Sequence, residues 1–208
     1  RNLYFKKSFK SILNTFRLIS KNKLILNFLI ARLFYNDGLI TIFGLGGVYA
    51  VTTLDFTFSE VLKLAIVLNI SAGIGSFIFG YLEDIIGYRK VINISLIVLI
   101  LATLIAFLAP MFIYSKEIFW FSGILIGLMV GPNQSCSRSL MSKIIPNNKK
   151  NEFFGFYSFT GKVTSFVGPF LFGVVTSLYS QQYALWIVII LLLIGFIIFN
   201  RINFNSLN

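Results

Sequence analysis

The stretch Gly80-Tyr-Leu-Glu-Asp-Ile-Ile-Gly-Tyr-Arg-Lys90 sets two acids, two bases and two glycines between long apolar runs. A link this short joins antiparallel neighbours, and a link this charged lies in water rather than in hydrocarbon. The stretch therefore reads as the turn of a helical hairpin at a membrane surface, and the flanking runs read as spans.

Composition agrees. The chain has 208 residues, 57% hydrophobic and only 12% charged, with a mean hydropathy of +0.85, against roughly 25% charged in a soluble domain. A spanning helix needs about 20 mainly apolar residues to cross about 30 Å of hydrocarbon. Such runs occupy residues 24–53, 60–82, 89–112, 118–145, 152–178 and 182–200, which predicts an all-α, polytopic membrane protein with six transmembrane helices. The chain then divides into a basic segment at 1–23, a bundle at 24–200 and a tail at 201–208. Phe5, Phe9, Ile12, Phe16 and Ile19 recur at helical spacing among lysines, the pattern of an amphipathic helix on a lipid surface, although a disordered basic linker also fits.

The net charge of +11 would suggest nucleic acid in a soluble protein, but its distribution points elsewhere. Of 18 Lys and Arg, thirteen fall on one side: seven in residues 1–23, then Arg89, Lys90, Lys143, Lys149, Lys150 and Arg201. Lys63 and Lys116 fall on the other. By the positive-inside rule both termini and the Gly80–Lys90 hairpin are expected in the cytoplasm. Histidine is absent and the single cysteine, Cys136, lies in an apolar run, so disulfides, His chemistry and Cys/His metal sites are excluded within the chain, and no cofactor is implied. The first residue is Arg, and the chain looks like a piece of something longer.

Ionisable groups inside spans are functional candidates by default. Asp37 lies 14 residues beyond Lys23, about 21 Å of helix, too deep to reach the surface. Lys162 lies near mid-membrane by the same rise and is a candidate partner for Asp37. Arg32 and Arg138 are shallower, and either anchoring at the headgroups or a place on a substrate path fits them. Asn133 and Ser137, like Gln134 and Arg138, are four apart, which makes a polar stripe on the fourth span: a solute path or an interhelical hydrogen-bond seam. Asn36 and Thr41 join Asp37 as polar or packing residues. Pro132 follows Gly131 and is expected to break the fourth span midway, and a second Gly-Pro pair, Gly168-Pro169, lies in the fifth.

The pattern Gly80-x-Leu82-x-Asp84-x-x-Gly87-x-Arg89-Lys90 resembles the signature between the second and third helices of a six-helix half in the major facilitator superfamily, departing at Ile85 and Tyr88. Physically, Gly80 would admit a close helix, Gly87 a tight turn, and Asp84 would cap a helix N-terminus with Arg89 answering its charge. Ala31-Arg-Leu-Phe-Tyr-Asn-Asp-Gly-Leu39, Gly131-Pro-Asn-Gln-Ser-Cys-Ser-Arg-Ser-Leu140 and Phe153-Phe-Gly-Phe-Tyr157 through Gly168-Pro169 are similar to the second half of the vacuole-effluxer-like family, whose namesake exports amino acids during autophagy. That resemblance implies a 3+3 inverted-repeat half of a twelve-helix transporter, with the other six helices as partner. It also implies that Gly80, Asp84, Gly87 and Arg89 gate rather than bind.

Two functions follow. One is secondary transport of a small solute such as an amino acid, probed by Asp37 as a proton or amine site and by Lys162 or Arg138 as a carboxylate site; the ATP-binding loop pattern is absent. The other is a half-length, non-transporting subunit that assembles with a second six-helix chain. An enzyme is disfavoured, since no nucleophile is paired with a base. The lipid bilayer is the expected surrounding and a bacterial inner membrane the expected location.

Overall fold

The computed structural model describes residues 16–146, 149–163 and 165–204, and among them every regular element is helical. Residues 16–21 are helical, and Asn22 then caps the next helix, its Oδ1 accepting the Leu24 and Ile25 amides at 3.1 and 3.3 Å. The expected lead-in residues Phe5, Phe9 and Ile12 lie outside the described residues. Helix α1 spans Lys23–Leu54 and ends at Asp55, which takes the left-handed conformation at φ 53°. Helix α2, Phe58–Ile86, opens on a capping box in which Thr57 and Glu60 satisfy each other's backbone amides. Helices α3, Tyr88–Leu108, and α4, Ser115–Ile144, follow, then α5, Lys150–Val163, and α6, Val167–Leu178, which share one apolar run, and α7, Gln181–Asn200.

Five runs, counting α5 and α6 as one, are long and apolar enough to cross a membrane. Helix α4 has the length, 30 residues, but its second half carries Asn133, Gln134, Ser135, Ser137, Arg138 and Ser139. It is nonetheless a core element, packed along both α2 and α3. The short links alternate the direction of these runs. Lys23, Arg89, Lys90, Lys143, Lys150 and Arg201 thus gather at one end, hereafter the basic end, and Lys63 and Lys116 at the other.

Inverting the first three runs onto the last three should exchange the pair α1 and α7 with the pair α4 and α3. It should likewise exchange α2 and α4 with α5–α6 and α1, and return α3 with α7 and α1 with α4 to themselves. All of these pairs are in contact. The 3+3 arrangement is therefore present in the packing, with α3 as buried scaffold.

The tightest contact in this frame is between α2 and α4. Gly123, Gly127 and Gly131 recur every fourth residue on α4 and face Leu64, Leu68, Ser71, Ala72 and Ser76 of α2. A Cβ on Gly127 would stand 2.7 Å from the Leu68 carbonyl oxygen, and one on Gly131 would collide with the Ala72 carbonyl and Ser76 Oγ. In hydrocarbon, where apolar burial drives little association, such close approach supplies the dispersion that holds helices together.

One sequence expectation is corrected here. Helix α4 runs unbroken through Pro132, because the defect proline creates is absorbed by its neighbour. Pro132 has no N–H for the carbonyl four residues back, Leu128, and that carbonyl oxygen lies where a Gly75 Cβ would be. The glycine's Cα hydrogens meet it instead. The interruption of the bundle lies in the fifth run, between α5 and α6.

Gly75→Val should therefore lower the thermal unfolding midpoint of the purified chain in detergent, by an overpacking cost of about 1–3 kcal/mol. Gly73→Val, whose Cβ meets nothing within 4 Å, should leave the midpoint near wild type. Equal effects of the two would remove the α2–α4 seam as the source of stability.

Candidate functional site

Asp37 is 1% exposed, in the middle of α1. Its Oδ2 accepts the Gly168 amide at 2.8 Å. Gly168 is the second residue of α6, a helix whose N-cap, Phe166, offers no side-chain acceptor. Asp37 thus supplies from α1 the cap that α6 lacks in its own sequence, and the positive end of the half-helix faces the acid. The geometry needs glycine at 168, since a Cβ would collide with Thr41 Oγ1. The Thr41 hydroxyl donates one turn back to the Asp37 carbonyl at 2.7 Å. Pro169 falls in the first turn of α6, where a missing N–H costs nothing. The second carboxylate oxygen, Oδ1, is buried and has no hydrogen-bond partner among the described residues. Asn36 is buried beside it in sequence, 7% exposed.

Lys162 is not brought to Asp37. It is exposed, in the last turn of α5, and among the described residues the salt bridge is Lys116–Glu60 at 3.2 Å, at the opposite end. The helix terminus stands in the place given to Lys162 by the sequence. Arg32 is held by α5: its guanidinium lies 3.5 Å from the centre of the Tyr157 ring and donates to the Tyr157 carbonyl at 3.2 Å. Gly161 leaves room for it, with a hypothetical Cβ only 2.8 Å from Nη1.

The polar stripe of α4 divides in two. Asn133 and Ser137 face the bundle interior: the Asn133 amide donates to Ser95 Oγ on α3 at 2.9 Å, and Ser137 Oγ pairs with the Tyr35 hydroxyl on α1 at 2.8 Å. These two bonds form the interhelical seam that was one of the two readings of the stripe. Gln134 and Arg138 turn outward and line an open cavity of about 660 Å³ toward the basic end, with Ser135, Ser139 and Ser142, closed by Ser76 of α2 and Phe154 of α5.

In the hairpin, Gly87 turns the chain at φ +84° and is the N-cap of α3, with no side-chain cap. Asp84 does not cap, because α2 continues through it to Ile86 and leaves it exposed in the last turn. Arg89 does not answer it either; it donates to the Asn200 carbonyl at 3.4 Å and lies 5.3 Å from the centre of the Phe204 ring, a cation at the C-terminus of α7. A Cβ on Gly80 would meet nothing within 4 Å among the described residues, so the close helix approach expected there is not found.

Tyr35, Ser95 and Tyr157 were not singled out in the sequence. A tyrosine mid-span, which must place its hydroxyl somewhere in hydrocarbon, is the signal that marks Tyr35. The four-residue repeat of Gly123, Gly127 and Gly131 likewise marks the α4 seam.

Comparison with known proteins now fixes the family. The profile described as "Vacuole effluxer Atg22 like" matches residues 2–206. The chain is 30% identical over 192 residues to the uncharacterized major-facilitator-type transporter YxiO of Bacillus subtilis, covering 92% of this chain and 44% of that protein. It is 30% identical over 185 residues to autophagy-related protein 22 of Candida glabrata, covering 85% and 34%. Among solved structures, a bacterial homologue of the iron transporter ferroportin in its inward-facing state superposes with a TM-score of 0.70 at 16% identity, over 89% of this chain and 48% of that one. The chain spans less than half the length of each of these proteins. The protein belongs to the vacuole effluxer Atg22-like family, and its helices adopt the major facilitator fold.

Proposed function

We propose that this chain forms the C-terminal six-helix half of a secondary transporter for a small solute, amino acids being the class its family suggests. The observation that carries the reading is Asp37: a carboxylate buried at mid-membrane, one oxygen capping an interrupted helix and the other unpartnered. A structural acid would have both oxygens answered. An oxygen left open at a helix break is suited to take up a proton or a substrate ammonium, and it ties that event to the hold on α6.

The uneven covering of the helices supports a second half. In their most apolar windows, 44% of α1, 50% of α3 and 44% of α7 is buried, but only 17% of α2 and 19% of α5–α6. The cavity beside Arg138 opens between these same two uncovered runs, through Ser76 and Phe154. Six further helices would close it, whether they belong to the same chain or to a separate subunit. Both termini face the cytoplasm in this reading, and the membrane is a bacterial inner membrane.

Within the transporter, Asp84 on α2 and Arg89 on α3 bias the inward-to-outward equilibrium, with Gly80 and Gly87 permitting the approach of the partner half. Lys162 is peripheral to the site.

In proteoliposomes of the intact transporter, Asp37→Asn should lose proton-coupled uptake of amino acids at normal expression, whereas Lys162→Ala should keep it; transport retained by Asp37→Asn would remove Asp37 from the path. Gly168→Ala should lower both the unfolding midpoint and the rate, and adding Thr41→Ala should recover part of the midpoint by making room for the new Cβ. No recovery in the double variant would show that α6 does not depend on this contact. Absence of amino acid flux with or without a pH gradient would sink the substrate class.

A further inference from the structure

The cavity beside Arg138 has a charge character that its transport role does not require. Gln134, Ser135, Arg138, Ser139 and Ser142 form one continuous polar arc of α4, about 12 Å long at 1.5 Å per residue. Two of the cavity's hydroxyls are committed inward: Ser135 donates to the Pro132 carbonyl at 3.1 Å and Ser76 to that of Ala72 at 2.8 Å. The donors left toward the cavity are the Arg138 guanidinium, the Gln134 amide and the hydroxyls of Ser139 and Ser142. No acid is among the residues lining the wall, although the Glu83 carboxylate of α2 reaches Cys136, the residue after Ser135, and among the described residues Arg138 makes no salt bridge. A second guanidinium, Arg32, lies 3.5 Å from the centre of the Tyr157 ring on α5, the helix that also supplies Phe154 to the cavity.

We infer that the Arg138 cavity is an organic-anion site, taking a small solute through a carboxylate paired with Arg138 and through polar substituents on Gln134, Ser139 and Ser142. This rests on the transport reading and adds to it the group that would hold a carboxylate of the cargo. A guanidinium presents a rigid fork of donors that matches a carboxylate in bidentate fashion. The volume of about 660 Å³ suits a small molecule. The Arg138 guanidinium disfavours a cation beside it, and an apolar solute would leave four polar groups unanswered.

A phosphate headgroup offers the same chemistry. Arg138 lies six residues from the end of α4, about 9 Å, within snorkelling reach. A lipid-facing arginine, however, is ringed by apolar side chains, and this one continues a polar arc of α4. The structure therefore favours the soluble anion.

The test uses the full chain in nanodiscs of phosphatidylcholine at fixed ionic strength, with malate as anionic probe and glycerol and choline as neutral and cationic controls. Malate should raise the unfolding midpoint and the controls should not. Arg138→Gln should weaken malate by at least about tenfold, the scale of one charged hydrogen bond, and Arg138→Lys should keep part of the affinity. Gln134→Glu, which puts a negative charge in the cavity, should abolish it; Lys90→Gln, a base at the same end outside the cavity, should not. No shift with malate, an equal shift with choline, or a malate shift unchanged in Arg138→Gln each overturns the site. A shift produced by phosphatidylglycerol alone and lost in Arg138→Gln overturns it in favour of a headgroup. Arg138-dependent binding without flux in proteoliposomes would remove transport and leave the anion site, and flux intact in Arg138→Gln would do the reverse.

Discussion

A backbone amide opened inside hydrocarbon must find an acceptor in the protein, because no water is there to take it. The fifth run of this chain stops at Val163 and resumes at Val167, which creates such amides at mid-membrane, and Asp37 meets one of them. Each group answers the other's cost: the acid is unfavourable in the membrane without a donor, and the helix start without an acceptor. The pairing ties α6 to α1, and α1 is in turn seated on α7, where a Cβ on Gly195 would fall 2.7 Å from that of Tyr35. Helices α1, α6 and α7 are thereby a connected unit whose polar centre is the Asp37 carboxylate.

The other half solves the same problem differently. Both Gly-Pro pairs remove a backbone donor within a span. At Gly131-Pro132 the lost bond orphans an acceptor, the Leu128 carbonyl, and a glycine on the adjacent helix lets it sit against Cα hydrogens with α4 continuous. At Gly168-Pro169 the helix restarts, and an orphan donor is met by an acid. An acceptor without a strong donor is the milder defect, so it needs only space. An orphan amide needs a partner. Of two similar dipeptides, one therefore carries a packing seam and the other an ionisable group.

The runs themselves were legible from apolar length and the charged links, with ends within four residues of those found: 24–53 against Lys23–Leu54, 60–82 against Phe58–Ile86, and 182–200 against Gln181–Asn200. Asp37 was legible because depth follows from counting residues at a fixed rise. Its partner was not, since Lys162 and Gly168 are six apart on the same run and only the place of the helix break decides which of them reaches α1. The α4 stripe was legible as polar but not as two strips, because Asn133 and Gln134 differ by about 100° around the helix and the sequence does not say where neighbours stand. Asp84 and Arg89 show the same limit. Their spacing suits a cap and its counter-ion, but α2 persists one turn longer than the charged cluster suggests.

That extra turn places the hairpin's charges on different bodies. Arg89 is joined through Asn200 and Phe204 to the end of α7, and Asn93 and Asn200 exchange amide hydrogen bonds at 2.9 and 3.1 Å in the same place. Asp84 belongs to α2, which is fastened to α4 through the glycine seam and to little else. A displacement of α2 would therefore move Asp84 while leaving Arg89 with its partners, pivoting at Gly87, whose positive φ already stands outside the helical range. In the proposed transporter, Asp84 is then the element free to engage the other half in one state and release it in the next, and Arg89 marks the body against which it moves. Ser76 of α2 borders the Arg138 cavity, so in the proposed transporter a movement of α2 that shifts Asp84 would also change access to the proposed anion site.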